Sequence, residues 1–150
     1  MIRHTRLEHR FVQHIPDVIS PGVLYISMEY RTAVHSCCCG CGEEIVTPFT
    51  PTDWKMTFDG ETVSLHPSIG NWSLDCRSHY VVKRDRIIEA CPWSDTEIEA
   101  EHRRNQVAKA RYYRVAASRK AVIDIKSQPY IGPASNGFWQ RLQRWVRGKL

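Results

Sequence analysis

The chain has 150 residues, with 21 Lys+Arg against 16 Asp+Glu and six cysteines, a length that holds one domain or two small ones. No apolar run approaches the roughly 20 residues of a membrane span, no apolar signal core follows Met1–Arg6, so secretion is not expected, and 42% hydrophobic content with 10% aromatics excludes global disorder. The charge is divided: residues 1–100 carry 9 basic and 14 acidic side chains, whereas 101–150 carry 12 basic ones and only Glu101 and Asp124 as acids.

Residues 1–92 read as a mainly β domain, a small antiparallel sheet or barrel. Val23-Leu24-Tyr25-Ile26 follows the Pro21-Gly22 turn as an apolar strand. Ala33-Val34-His35 and Ile45-Val46 flank a cysteine cluster. Trp54, Met56 and Phe58 alternate with polar residues, the period of a half-buried strand; Asp59-Gly60 then signals a hairpin into Val63 and Leu65. Tyr80-Val81-Val82 and Ile87-Ile88 form a second hairpin through Lys83–Arg86. Residues 93–126 read as a basic helical extension, making the chain α+β overall. Ser94 with Glu97 three residues on has the form of a capping box, and a helix of about 20 residues is expected to follow. Its acids come first (Asp95, Glu97, Glu99, Glu101) and its bases later, complementing the helix dipole. Its thin apolar stripe predicts loose packing on the body or projection from it. Residues 127–137 read as a linker and 138–150 as an amphipathic terminal helix, with Phe138, Trp139, Leu142, Trp145 and Val146 on one face.

Four of the six cysteines, Cys37, Cys38, Cys39 and Cys41, lie within five residues, too close to staple distant loops and better suited to bind a metal. Cys39-Gly40-Cys41 and Cys76-Arg77-Ser78-His79 can together supply the four ligands of a structural zinc site. Cys39, Cys41, Cys76 and His79 are the expected set, with Cys37 able to replace Cys39. His35 reads as a strand histidine or a further ligand, and Cys91 as packing. The two loops also resemble a Rieske iron–sulfur arrangement. The first pair here is Cys/Cys, however, and 34 residues separate Cys41 from Cys76, which disfavours that cofactor.

A catalytic use of the same region has three forms. With three protein ligands, Glu43 or Glu44 could activate a metal-bound water. Cys37 or Cys38 could act as a nucleophile with His35 or His79 as base. Ser78 stands beside His79, but sequence neighbours on a strand do not face each other. Asp53 and Asp59 read as turn residues.

His35-Ser36-Cys37-Cys38-Cys39-Gly40-Cys41-Gly42, Thr50–Lys55, Phe58-Asp59-Gly60-Glu61, Pro67-Ser68-Ile69-Gly70-Asn71-Trp72-Ser73 and Cys76-Arg77-Ser78-His79-Tyr80, together with Leu7–Val12, carry a resemblance to a bacterial family of Cys-rich proteins found beside ubiquitin-like conjugation genes. The resemblance spans roughly residues 6–91 and leaves out the basic C-terminal part. It implies a role near such a pathway, as a binding or ligase-like factor or as a peptidase that removes the modifier. The leading expectation is a cytoplasmic, zinc-binding accessory or interaction protein with a protein partner. The rivals are a modifier-specific hydrolase and a nucleic-acid binder acting through the basic segment. For that segment protein docking is favoured, because its aromatic residues form a compact anchor.

Overall fold

The computed structural model describes residues 1–127, with side chains to residue 120. Two units divide the chain, Met1–Tyr112 and Tyr113–Leu150. The first is built of β1 (Glu8–Phe11), β2 (Val23–Ser27), β3 (Thr32–Ser36), β4 (Glu44–Pro48), β5 (Lys55–Phe58), β6 (Val63–His66), β7 (Ile69–Gly70), β8 (His79–Lys83) and β9 (Arg86–Glu89), and it contains the start of α1 (Asp95–Ser127). The mainly β, α+β architecture is therefore the one expected. A four-stranded sheet runs β1-β2-β3-β4, a two-stranded one β5-β6 and a three-stranded one β7-β8-β9. All pairings are antiparallel except β1 with β2, which run parallel.

Strand β2 is buried along its whole length, which is why Val23–Ile26 reads as a continuous apolar run rather than an alternation. Leu7, Leu24, Ile26, Ile45, Val63, Leu65, Ile69, Tyr80, Val82 and Ile87 close one core shared by all three sheets. Each such aliphatic side chain contributes about 1.5–3 kcal/mol by leaving water. The β5–β6 turn is tied by Asp59, whose carboxylate accepts hydrogen bonds from the Glu61 and Thr62 backbone N–H groups (3.0 and 2.7 Å) and the Thr62 hydroxyl (2.8 Å). The Thr62 backbone bond first, then the Thr62 hydroxyl and the Glu61 bond, hold its pKa down to about 2.

Asp85 joins the sheets. Its carboxylate, almost wholly buried, accepts the Val63 backbone N–H at 2.9 Å and lies 3.0 Å from His9 Nδ1. Its backbone carbonyl accepts from Leu7 and its N–H donates to Val63.

Helix α1 begins as a capping box: Ser94 N–H donates to Glu97 Oε2 at 2.8 Å, and Glu97 N–H donates to Ser94 Oγ at 3.4 Å. It runs for 33 residues, longer than the expected 20. Among its described side chains only Ile98 is buried. The expected linker beyond Ser127 and the expected terminal helix 138–150, with its aromatic anchor, lie outside the described residues.

Candidate functional site

The cysteine turn between β3 and β4 is closed by two backbone bonds, Cys37 N–H to Glu43 O (2.8 Å) and Gly40 N–H to Cys37 O (2.9 Å). Gly40 sits at φ 84°, where an L side chain is disfavoured, and a Cβ there would lie 2.7 Å from Arg3 Cδ. The curl brings Cys37, Cys39 and Cys41 together with Cys76 from the β7–β8 connection. One ligand atom of each lies within 4.8 Å of every other. Around an ion with metal–sulfur bonds of about 2.3 Å, tetrahedral sulfurs stand about 3.8 Å apart. Cys37 Sγ is 3.4 Å from Cys39 Sγ and 4.0 Å from Cys76 Sγ, so the donor set and its spacing fit one metal ion. Burial pushes the Cys76 thiol up, but hydrogen bonds from the Ser78 side chain and backbone, then from Cys39 and Cys41, bring its pKa down to about 7. Ser78 Oγ also lies 3.2 Å from Cys37 Sγ and accepts from Asn71 Nδ2 at 2.8 Å.

His79, expected as the fourth ligand, is turned away from these thiols, and Cys37 stands in the place expected of it. The reason is strand alternation. Ser78 and Tyr80 point to one face, where Ser78 meets the thiols and the Tyr80 hydroxyl lies 2.8 Å from His35 Nε2. His79 between them points to the other. The turn closed by Gly40 N–H on Cys37 O sends Cys37 and Cys39 to the cluster and Cys38 toward Tyr80. Burial pushes the Cys38 thiol up to about 12, so it is not a thiolate at neutral pH. His35 is fully buried, its pKa lowered by burial to about 4. Its Nδ1 is without a partner among the described residues, and its bonded Nε2 faces Tyr80 rather than Cys37. Glu43 and Glu44 are exposed.

On its own face, His79 meets a serine. Its Nε2 lies 2.9 Å from Ser68 Oγ and its Nδ1 lies 2.7 Å from the carbonyl oxygen of Cys91. A carbonyl oxygen only accepts, so Nδ1 carries the ring proton and Nε2 is left as the acceptor of the Ser68 hydroxyl proton. That is the geometry of a nucleophile, its base and an orienting group, with a backbone carbonyl in the orienting place. Ala90 N–H donates to His79 O at 2.9 Å, so the stretch after β9 grips both the backbone and the ring of His79. The ring packs at a steep angle against both Trp72 and Trp93, at centroid distances of 4.9 and 5.2 Å, and these two indoles stack on each other. Gly70 lies directly under Trp72.

Ser68 and His79 line a cavity of about 220 Å³ together with Trp54, Trp72, Trp93, Asp53 and, from α1, Glu101, His102, Asn105 and Lys109. Lys109 Nζ is 2.5 Å from Asp53 Oδ1. Burial opposes ionisation of Asp53, but the hydrogen bonds of Lys109 and Thr50 outweigh it and hold the carboxyl below its usual range. No sequence motif singles out Ser68 for chemistry; its one signal is its place within Pro67-Ser68-Ile69-Gly70-Asn71-Trp72, a segment that carries the family resemblance.

Fold and site together define a small α+β protein with a four-cysteine cluster on one side of strand β8 and a Ser–His pair in a cleft on the other. The chain belongs to the BubE family, described as the bacterial ubiquitination-like system serine protease, whose model matches residues 11–91. A search of curated proteins and a search of solved structures each found no match. Among the described residues, no helix is long and apolar enough to cross a membrane.

Proposed function

We propose that this chain is a serine peptidase of a bacterial ubiquitin-like pathway, cleaving an acyl bond made by the modifier protein. In this reading Ser68 is the nucleophile and His79 the general base. The single observation that carries it is the 2.9 Å contact between Ser68 Oγ and His79 Nε2 inside the cleft, and the family's description agrees with it. The same contact favours the peptidase over the accessory role.

The chemistry follows from the hydrogen bonds. Ser68 Oγ attacks the scissile carbonyl carbon as its proton passes to His79 Nε2. The Cys91 carbonyl accepts from Nδ1–H throughout and holds the ring in orientation. Collapse of the tetrahedral adduct breaks the C–N bond, and Nε2–H gives its proton to the leaving amine. Water then attacks the acyl-Ser68 ester, again through His79, and releases the carboxylic acid and the free serine. Trp72 and Trp93 pack against the ring and hold its plane.

The four thiolates of Cys37, Cys39, Cys41 and Cys76 are assigned to zinc, the ion best matched to a closed tetrahedral sulfur set. Bound there, zinc supplies a cross-link rather than reaction chemistry, since four thiolates leave no position beside Glu43 or Glu44 for an activated water. Cys76 lies three residues before His79, so the cross-link fixes the connection that delivers the base to Ser68.

A fluorophosphonate, which phosphonylates activated serines, tests the assignment. Peptide mass mapping is expected to find the adduct on Ser68, and Ser68→Ala and His79→Ala are expected to abolish both labelling and cleavage of a modifier–peptide fusion. An adduct on another serine, or full labelling of Ser68→Ala, overturns it.

A further inference from the structure

The family match ends at residue 91, yet part of the cleft wall comes from beyond it. Glu101, His102, Asn105 and Lys109 of α1 line the cavity that holds Ser68 and His79. Their spacing places them along one helix face. Packing does not explain that placement, because Ile98 is the one buried side chain among those described on this helix. The first four turns are instead fastened to the body by polar contacts: Arg77 with Asp95, and Lys109 with Asp53, whose carboxylate is already braced by the Thr50 hydroxyl.

The charges on this wall are spoken for. Glu101 pairs with Arg104 and Lys109 with Asp53. His102 and Asn105 are exposed, and no hydrogen bond of their side chains is found among the described residues. The groups left free to bind are therefore an imidazole and a carboxamide, facing a cleft otherwise walled by Trp54, Trp72 and Trp93. An imidazole and a carboxamide beside aromatic faces offer hydrogen bonds that suit the amide groups of a peptide main chain and its uncharged side chains, while the carboxylates and ammonium of this wall are already paired. The cavity, of about 220 Å³, is an open cleft rather than an enclosed pocket, a form that a stretch of polypeptide can cross.

We propose that His102 and Asn105 are substrate-binding residues that hold the main chain of an extended, uncharged peptide segment across the Ser68–His79 pair, with the Lys109–Asp53 ion pair as the positioning contact that sets their wall. This rests on the peptidase reading above. It makes α1 a specificity element that this chain adds to the matched family core.

The test separates substrate binding from the reactivity of the pair in the full-length chain. Loss of two main-chain hydrogen bonds in His102→Ala/Asn105→Ala is expected to raise KM for a modifier–peptide fusion roughly tenfold, while fluorophosphonate labels Ser68 at a rate within about twofold of the unmodified chain. Lys109→Ala is expected to raise KM as well and Lys109→Arg, which keeps the ion pair, to restore it. Arg111→Ala, on α1 away from the cleft, leaves KM unchanged. A KM unchanged in the double variant overturns the proposal, as does a labelling rate that falls in step with cleavage, because the wall would then act on Ser68 rather than on substrate. Failure of the unmodified chain to be labelled at Ser68 is a separate result that overturns the nucleophile assignment and this inference with it.

Discussion

Gly70→Ala adds one methyl group where the structure has no space. A Cβ at Gly70 would lie 2.5 Å from Trp72 Cε2 and 2.7 Å from Cζ2, against a normal contact near 3.5 Å, so the indole must retreat by about 1 Å. The Trp72 ring stacks on Trp93 at 5.5 Å and leans on His79 at 4.9 Å, so its movement carries to the base. Overpacking of this kind costs about 1–3 kcal/mol, which lowers Tm by roughly 5–15 °C in a unit of this size. A base displaced by about 1 Å from its nucleophile loses on the order of a hundredfold in rate. Thermal unfolding followed by circular dichroism reads the first effect, and kcat for a modifier–peptide fusion the second. Trp72→Phe introduced into the Gly70→Ala chain offers a smaller ring, and the pair is expected to cost less stability than the sum of the two single changes. A Gly70→Ala chain with wild-type Tm and kcat would show that the indole yields freely and that the packing around His79 does not position it.

Three other outcomes are expected. Replacing Asp85 by Ala removes the acceptor of the buried Val63 N–H and the partner of His9, a loss of about 2–3 kcal/mol in urea unfolding; Asp85→Asn, which keeps one acceptor, should lose clearly less. His35 binds its proton at 6.5 when unfolded and at about 4 when folded, so the unfolded chain takes up more protons and stability is lost as pH falls from 6.5 toward 4. At 1.36 kcal/mol per pH unit this amounts to about 3 kcal/mol, read as the urea midpoint against pH, and a His35→Gln chain showing the same acid loss would contradict the attribution. Elemental analysis is expected to find one zinc per chain, and its removal by a chelator, or Cys76→Ser, should slow Ser68 labelling; labelling at full rate without metal would mean the thiolate cluster does not hold the base in place.

Much of the β architecture was legible because its signals are local. The run Val23–Ile26 reports the burial of its own strand, the alternation Trp54-Met56-Phe58 and the Asp59-Gly60 turn mark a hairpin whose first strand is mostly exposed, and Ser94 with Glu97 announces the helix start. Strand β1 left no such mark: its residues are mostly exposed, and its parallel pairing with β2 depends on contacts across the intervening loop. The cluster was legible as a concentration of thiols. Its membership was not, since Cys76-Arg77-Ser78-His79 has the spacing of a ligand pair, and only the pleat of β8 decides that His79 looks the other way. Ser68 and His79 meet across the two arms of the β7–β8 connection, a proximity that the spacing of their residues does not encode. The helix length was underestimated because its apolar stripe is thin, and a helix held by ion pairs and a cap leaves a weak periodic signal.

The pleat of β8 has a consequence for how such a chain can change. His79 and its strand neighbour Tyr80 face opposite sides, so a one-residue slip of β8 against its neighbours would exchange the roles of the two faces, turning the base toward the thiols and a neighbour into the cleft. The stretch before β8 is turn rather than strand, closed by Leu74 N–H to Asn71 O and Arg77 N–H to Leu74 O with Arg77 at φ 41°, so Cys76 is placed by the turn and not by the pleat. A turn of fixed hydrogen bonding, the eight-residue connection Asn71–Ser78, thus feeds a register-sensitive strand.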